Sequence, residues 1–482
     1  MSEGSISKVV VVGGGLTAWT AAATLKRRIP VLDVQLVKTE PAPDALAEQI
    51  ISTLPSIATF HQSLGLTDAD TVERAASGIR LATMLEGFAE GQPDFVHSYD
   101  RCGVPLNGVP FHQLWLRECE RGKLPAFDRF SPAAEIARSG KPPQGLARAS
   151  AFGLQLDLER YGDMMRALAH HVGVRVRDSL FRNVALRTDD GFVDKVILAD
   201  GDAVAGDLFV DCTGPAALLH REMKSPFTDW SRWLPCDQVA FKRVESDSSA
   251  ELMDRVTALP FGWKWRSSSP RSGSVGVVYS SSFAEPDIGA EVADFSKVAI
   301  RQGRKTQFWV RNCVAIGDAA VTVEPLEWTN LHLVQGQLDR LITMMPGRDC
   351  AKVEIAQFNR ETIAQADRVR DFVAVHYLCS SRPERFWKDA ASVAPPASLE
   401  HSLSLFKERG LLPNYPEESF SRDSWLTILL GLGVRPRRID PLASLVPVTE
   451  AAQAFASMSQ SLKTFALSAG SPVPELNPHG IR

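Results

Sequence analysis

Gly13-Gly14-Gly15-Leu16-Thr17-Ala18 stands between four valines, Val9 to Val12, and a helical stretch from Trp19 to about Arg28. The spacing is G-x-G-x-x-A, a form of the turn that binds dinucleotides. Gly13 would make the tight turn, Gly15 would let the backbone approach a pyrophosphate, and Ala18 would keep helix and strand close. The helix start would supply N–H donors and the positive end of its dipole to the phosphates. An acid about 20 residues further on is expected to hold the ribose hydroxyls. The second strand, Val34 to Val37, runs into Lys38, and Glu40 is the candidate acid. Without a ligand, the same letters would describe an ordinary glycine-rich turn.

Two later segments carry compatible chemistry. Phe192 to Leu198 and Ala203 to Asp211 are predicted as strands, with Asp189-Asp190-Gly191 and Asp200-Gly201 at their turns. The run that ends in Asp211-Cys212-Thr213-Gly214 resembles the segment that returns the chain to the FAD domain in two-dinucleotide-binding flavoproteins. Asn312 to Ile316 is predicted as a strand leading into Gly317-Asp318 and then a helix. In FAD-dependent hydroxylases this Gly-Asp sets its carboxylate near the ribityl chain. A carboxylate accepts hydroxyl hydrogen bonds well, and a helix start stabilises an electron-rich ring.

Beyond Ala320 the resemblance narrows. Val323-Glu324-Pro325-Leu326-Glu327-Trp328-Thr329-Asn330-Leu331-His332 resembles a segment of the flavin-dependent tryptophan halogenases. Gly14 to Ala22 is similar to their first helix entry. Arg370-Asp371-Phe372, His376-Tyr377, Arg382 and Phe386-Trp387 resemble their R-D-F, H-Y, R and F-W positions, and Ser424-Trp425-Leu426 with Gly431-Leu432-Gly433 resembles their C-terminal helices. The likeness covers nearly the whole chain. It implies FAD reduced by a separate flavin reductase, a flavin hydroperoxide, and a halide oxidised to hypohalous acid. That oxidant reaches a lysine beside an electron-rich, indole-like substrate. Arg80 stands where the lysine is expected, and a guanidinium stays charged and is a poor nucleophile. Glu327 fits the carboxylate that assists the reacting ring. Thr329 fits a halide position, flanked by Trp328 and Asn330 where the family has small residues. Trp263 and Trp265 keep the tryptophans of a W-x-W element without its Ile-Pro, and around Glu48 to Pro55 only Thr53-Leu54-Pro55 of a flavin strap remains. Three activities stay open: halogenation with Arg80 positioning the oxidant, direct FAD-dependent monooxygenase or oxidase chemistry, and a noncatalytic flavin-binding role.

The elements that must position these residues follow. The 482 residues are 44% apolar and 23% charged, with a net charge of −4. This is globular composition, without the basic footprint of a nucleic-acid binder. The seven cysteines form no C-x-x-C pair, no apolar stretch reaches about 18 residues, and the N-terminus has no secretion pattern, so cytoplasm and no membrane are expected. The expected class is α/β. An FAD-binding domain spans 1–345 (segments near 1–85, 145–220 and 300–345) with an inserted substrate-facing sheet that includes Val239 to Val278. A helical region occupies 346–482, and Ser468 to Arg482 reads as a loose tail. Expected partners are a small aromatic substrate, a flavin reductase and a halide ion, with a homodimer left open. No metal-ligand cluster and no second dinucleotide turn are visible.

Overall fold

Four valines in a row suit a strand covered on both faces, and the strand Lys8–Val12 has Val9 to Val12 fully buried. The computed structural model describes residues 4–122, 124–141, 151–245, 251–284, 288 and 292–468. Lys8–Val12 is central in a six-stranded sheet of order Trp309–Val310, Cys313–Ala315, Leu208–Asp211, Lys8–Val12, Asp33–Val37, Arg175–Arg177. All neighbours are parallel except the first pair. Val12 lies opposite both Val37 and Asp211, and Asp211 opposite Ala315. The next residues of each strand therefore leave the same carboxyl edge. Gly13, Thr39, Gly214 and Gly317 all meet there, which is where open parallel sheets bind ligands.

Two expectations need correction here. Ala203 to Asp211 is not one strand. Ala203–Ala205 pairs with Val193–Leu198 in a separate three-stranded sheet, while Leu208–Asp211 joins the parallel sheet. The chain changes sheet at Gly206-Asp207. A Cβ on Gly206 would lie 2.7 Å from Val10 Cγ2, and the Asp207 carboxylate accepts from the amides of Ser7 and Lys8. Nor does a helix follow Gly317-Asp318 directly. A single 3₁₀ turn, Gly317–Ala319, leads into the two-residue strand Val321–Thr322, and the helix begins only at Asn330.

A second sheet of seven strands runs Ser296–Ala299, Gln238–Glu245, Ser272–Tyr279, Gly262–Ser268, Met253–Leu259, Ala82–Glu86, Phe95–Ser98. Its period of two is plain in Gly262–Ser268, where Trp263 and Trp265 are buried and Lys264 and Arg266 exposed. Helices fill the last third, including Lys352–Leu378, Arg385–Ala391, Ala397–Arg409, Arg422–Gly431 and Val448–Ser468. In Lys352–Leu378, residues Arg368 to Tyr377 are all buried, so this end runs through the interior between the sheet and the other helices. No helix among the described residues is long and apolar enough to cross a membrane. The tail 469–482 lies outside the described residues.

Candidate functional site

The first group of candidate residues gathers at the carboxyl edge of the parallel sheet. The Gly13 amide donates to Val37 O (3.0 Å), and a Cβ on Gly13 would lie 2.5 Å from Cys212 O and 2.8 Å from Ala18 Cβ. Close approach alone therefore demands glycine there, and Ala18 is the small residue that permits it. The first helix, Leu16–Arg28, starts at Gly15. A Cβ on Gly15 would collide with the carboxylate of Glu48, which accepts from the Thr17 amide (3.3 Å). Burial pushes the Glu48 carboxyl up to about 7, against the hydrogen bonds from Thr17. Gly214 has φ +70 and faces Ala42, 2.8 Å from where a Cβ would sit. Gly317 sits between Thr17 and Val334, and its amide donates to Gln337 Oε1 (2.7 Å). Asp318 Oδ2 accepts from the Ala47 amide (3.0 Å), while Oδ1 is buried with no hydrogen-bond partner. Burial raises that carboxyl to about 7. Glu40 remains exposed, and its backbone packs against Gly14.

These residues fit a flavin dinucleotide. Bare glycine edges, donors at a helix start and an unpartnered buried carboxylate oxygen form the donor and acceptor set that its phosphates and hydroxyls require. The three atoms nearest a Cβ on Gly15 all belong to the Glu48 carboxylate, a side chain that can move. Glu48 opens the Glu48 to Pro55 stretch where a flavin strap is expected, but its carboxylate was not among the candidate residues. Sequence reasoning also missed Asp211, whose oxygens accept from Thr213, Leu219 and His220 amides and hold the Gly214 loop; the Asp-Cys-Thr-Gly run was a usable signal.

The second group lies where the seven-stranded sheet meets the helices. Arg80 ends the strand Gly78–Arg80 and is completely buried. It is no surface arginine. Its Nε–H donates to Asp254, its Nη groups donate to Thr83 Oγ1, Tyr99 Oη and Thr53 O (3.0 Å), and it lies over the rings of Tyr99 and Trp328. Gln155 Nε2 donates to the other Asp254 oxygen (2.9 Å). Burial works against the Arg80 charge, but Tyr99 and Asp254 outweigh it and raise its pKa. Burial in turn pushes the Tyr99 phenol up to about 12.

Glu327 and Trp328 have φ of +66° and +60°. Two consecutive bulky residues in the left-handed region mark a strained turn of the kind found at functional sites. The turn carries the Glu327 carboxylate into a dry pocket between His97 (Nδ1 to Oε2, 2.7 Å) and His376 (Nε2 to Oε1, 3.4 Å). Burial alone would raise its pKa; the two imidazoles outweigh burial and hold it well below the usual carboxylate range. His97 Nε2, Thr329 Oγ1 and Asn330 Oδ1 are buried without hydrogen-bond partners, and Glu327 Oε1 and His376 Nε2 have only their long mutual contact. Such a concentration of unsatisfied atoms is what a ligand site leaves.

The tryptophans meet beside this turn. Trp328 Nε1 donates to Thr83 Oγ1 (3.3 Å), and its ring packs edge-on to Trp265, which neighbours Trp263. Trp263 Nε1 donates to Tyr377 Oη (2.9 Å) and Glu324 Oε1 (3.2 Å). A cavity of about 670 Å³ opens at Tyr99, with Phe130, Met458 and Leu462 in its wall. A larger surface groove of about 860 Å³, beside Arg74, Asp157 and Arg160, contains none of the predicted residues. Phe111 to Arg117 lie on a buried stretch of helix, with Phe111 against Phe130.

The family model described as tryptophan halogenase matches residues 8–448. A tryptophan 7-halogenase, RebH of Lentzea aerocolonigenes, is 28% identical over 502 residues, covering 93% of this chain and 94% of the relative. The solved structure of BrvH, a flavin-dependent halogenase from Brevundimonas sp. BAL3, superposes with a TM-score of 0.90 at 31% identity, covering 96% of this chain and 97% of the other. A flavin-dependent halogenase from Xanthomonas campestris gives 0.90 at 28% identity, with 96% of both chains covered. With the fold, the sheet-edge groove and the carboxylate turn in agreement, the chain belongs to the tryptophan halogenase family.

Proposed function

We propose that this chain is an FAD-dependent halogenase acting on an electron-rich, indole-like aromatic ring that enters through the cavity at Tyr99. The observation that carries the reading is Glu327: a buried carboxylate, held ionised between two imidazoles, with one oxygen bound by His97 and the other held only by the longer contact to His376. Electrophilic attack on a ring leaves positive charge and one surplus proton. A fixed anion in a dry site stabilises the first and accepts the second. Bound FAD, reduced by a separate reductase, supplies the oxidising chemistry with dioxygen and a halide. Gly13, Gly15, Ala18, Gly214, Gly317 and Asp318 hold it, with Glu40 at the ribose end. Thr329, whose unpaired hydroxyl can donate to an anion, forms the halide side beside the helix start, with Asn330 next to it. Arg80 fixes Tyr99, Thr53 and Asp254 in place and is a positioning residue.

Arg80 also supports a second reading. Its donors are engaged on protein groups, so it is poorly suited to carry an oxidant, and direct oxygenation of the aromatic substrate needs no such carrier. The test is a panel of indoles and phenols incubated with the protein, a flavin reductase, FAD and either chloride or bromide, read by mass spectrometry. Halide-dependent products establish the first reading. Products carrying oxygen regardless of halide replace it with the second. Absence of both with FAD bound leaves the noncatalytic role.

A further inference from the structure

The two imidazoles beside Glu327 differ in how their ring nitrogens are engaged. His376 Nδ1 lies against Phe372 O (3.1 Å) and Val373 O (3.2 Å), and a carbonyl only accepts, so that nitrogen carries a proton. Its Nε2 faces Glu327 Oε1 at 3.4 Å. His97 Nδ1 lies 2.7 Å from Glu327 Oε2, and an ionised carboxylate accepts, so this nitrogen is a donor as well. The remaining nitrogen, His97 Nε2, is buried and has no partner. With the proton on Nδ1, it presents a lone pair. Residues two apart on a strand share a face, and His97, in Phe95–Ser98, stands two before Tyr99, whose ring it meets edge-on at 5.6 Å. Tyr99 is in the wall of the cavity of about 670 Å³. The other rings beside His97, Phe372 at 5.6 Å and Phe420 at 6.2 Å, offer no donor.

We propose that His97 Nε2 is a specificity-determining acceptor, and that the substrate is an aromatic ring bearing its own N–H or O–H, which donates to it. The assignment rests on the reading of Glu327 as the carboxylate beside the reacting ring, and it narrows the substrate of that site. A buried acceptor without a partner is costly, and a ring donor satisfies it. Electrophilic attack places positive charge on the ring, and its N–H or O–H becomes a stronger donor. The bond to Nε2 therefore tightens as the reaction proceeds, which is the condition for it to assist. Glu327 behind Nδ1 strengthens it further, because each hydrogen bond in a chain polarises the next. The surplus proton of the ring carbon still goes to Glu327. His376 cannot take this part, since both its nitrogens are engaged. A ring of the same shape without the donor leaves Nε2 unpaired and is disfavoured.

The experiment titrates the full chain, in oxidised FAD and without reductase, with indole and with benzofuran, which has the same shape and an oxygen in place of the N–H. Calorimetry gives both dissociation constants for wild type, His97→Gln and His97→Phe. The preference for indole over benzofuran is expected to be about tenfold larger in wild type than in His97→Phe. His97→Gln, whose amide oxygen accepts, should keep part of it. In protein with isotope-labelled histidine nitrogens, one Nε2 resonance should move with indole and stay with benzofuran, and it should be missing from His97→Gln. The resonance decides alone if His97→Phe does not fold. A signal that moves equally with both compounds, or an equal preference in wild type and His97→Phe, overturns the inference and leaves the Glu327 reading standing. Failure of wild type to bind either compound overturns both.

Discussion

The groove and the Arg80 cluster are joined by one stretch of chain. Glu48 sits at the first helix and Thr53, five residues on, accepts from Arg80. Their physical states are opposite. In the groove, burial raises two carboxyls to about 7 and one of them keeps an oxygen unpaired. In the cluster, the guanidinium is bonded to four groups and Glu327 is held well below its usual pKa by His97 and His376. The groove is a binding surface still short of partners. The cluster is preorganised, with charge fixed in place before any substrate arrives. A cofactor that must be taken up suits the first state, and chemistry on a neutral ring suits the second.

The comparison breaks first at Arg80. Arg80→Met would leave the Asp254 carboxylate buried with only Gln155 as partner. Loss of one member of a buried pair costs roughly 3–5 kcal/mol, so a clearly lower melting temperature is expected in calorimetry. An unchanged one would show that the cluster is not the locked region. Next is Glu327→Gln, expected to lower kcat for halogenation of an indole by about 100-fold or more, with FAD affinity unchanged. A loss confined to FAD affinity would move Glu327 from the reaction side to the cofactor side.

The third prediction concerns pH. Buried Glu48 titrates at about 7 instead of the ordinary 4.5. The folded chain therefore holds a proton that the unfolded chain releases, and acid favours the folded state at this site. Stability of the apo chain, read by thermal unfolding, should fall through this group from pH 5 to about 7 and level off above. Asp318, Asp44 and the Cys212 thiol interact electrostatically within this group, so the slope should shrink in Glu48→Gln through the loss of the Glu48 share. A flat profile in wild type would remove the proton from the account. The smallest effect is expected for Trp263→Phe. It removes the single indole N–H shared between Tyr377 and Glu324, while Glu324 keeps bonds from Tyr377 and Gln302. A loss of about 1 kcal/mol in stability, read by denaturant unfolding, would sharpen the view that this tryptophan is structural.

Much of the groove was legible from residues alone. The valine run, the three glycines and Ala18 lie within ten positions, and the backbone geometry they require is local. The alternation of Trp263, Lys264 and Trp265 was readable for the same reason. The helix expected after Asp318 failed because the segment up to Thr329 is buried in the irregular turn that carries Glu327, and burial there overrides the helical pattern. Ala203 to Asp211 failed because Gly206 and Asp207 pack on the first strand, a contact invisible in the local pattern.

The sequence by itself determined the family, the strand–turn–helix edge for a dinucleotide, and the identity of Arg80, Glu327 and Trp328 as residues that depart from or match a motif. Only the tertiary structure decided what they touch. Arg80 meets Asp254 across 174 positions and Glu327 meets His97 across 230. Glu48 reaches the first helix across 31. Local pattern encodes backbone shape, because sterics and hydrogen bonding act between near neighbours. The pairing of buried charges depends on which sheets and helices close over one another, and that is a property of the packed chain.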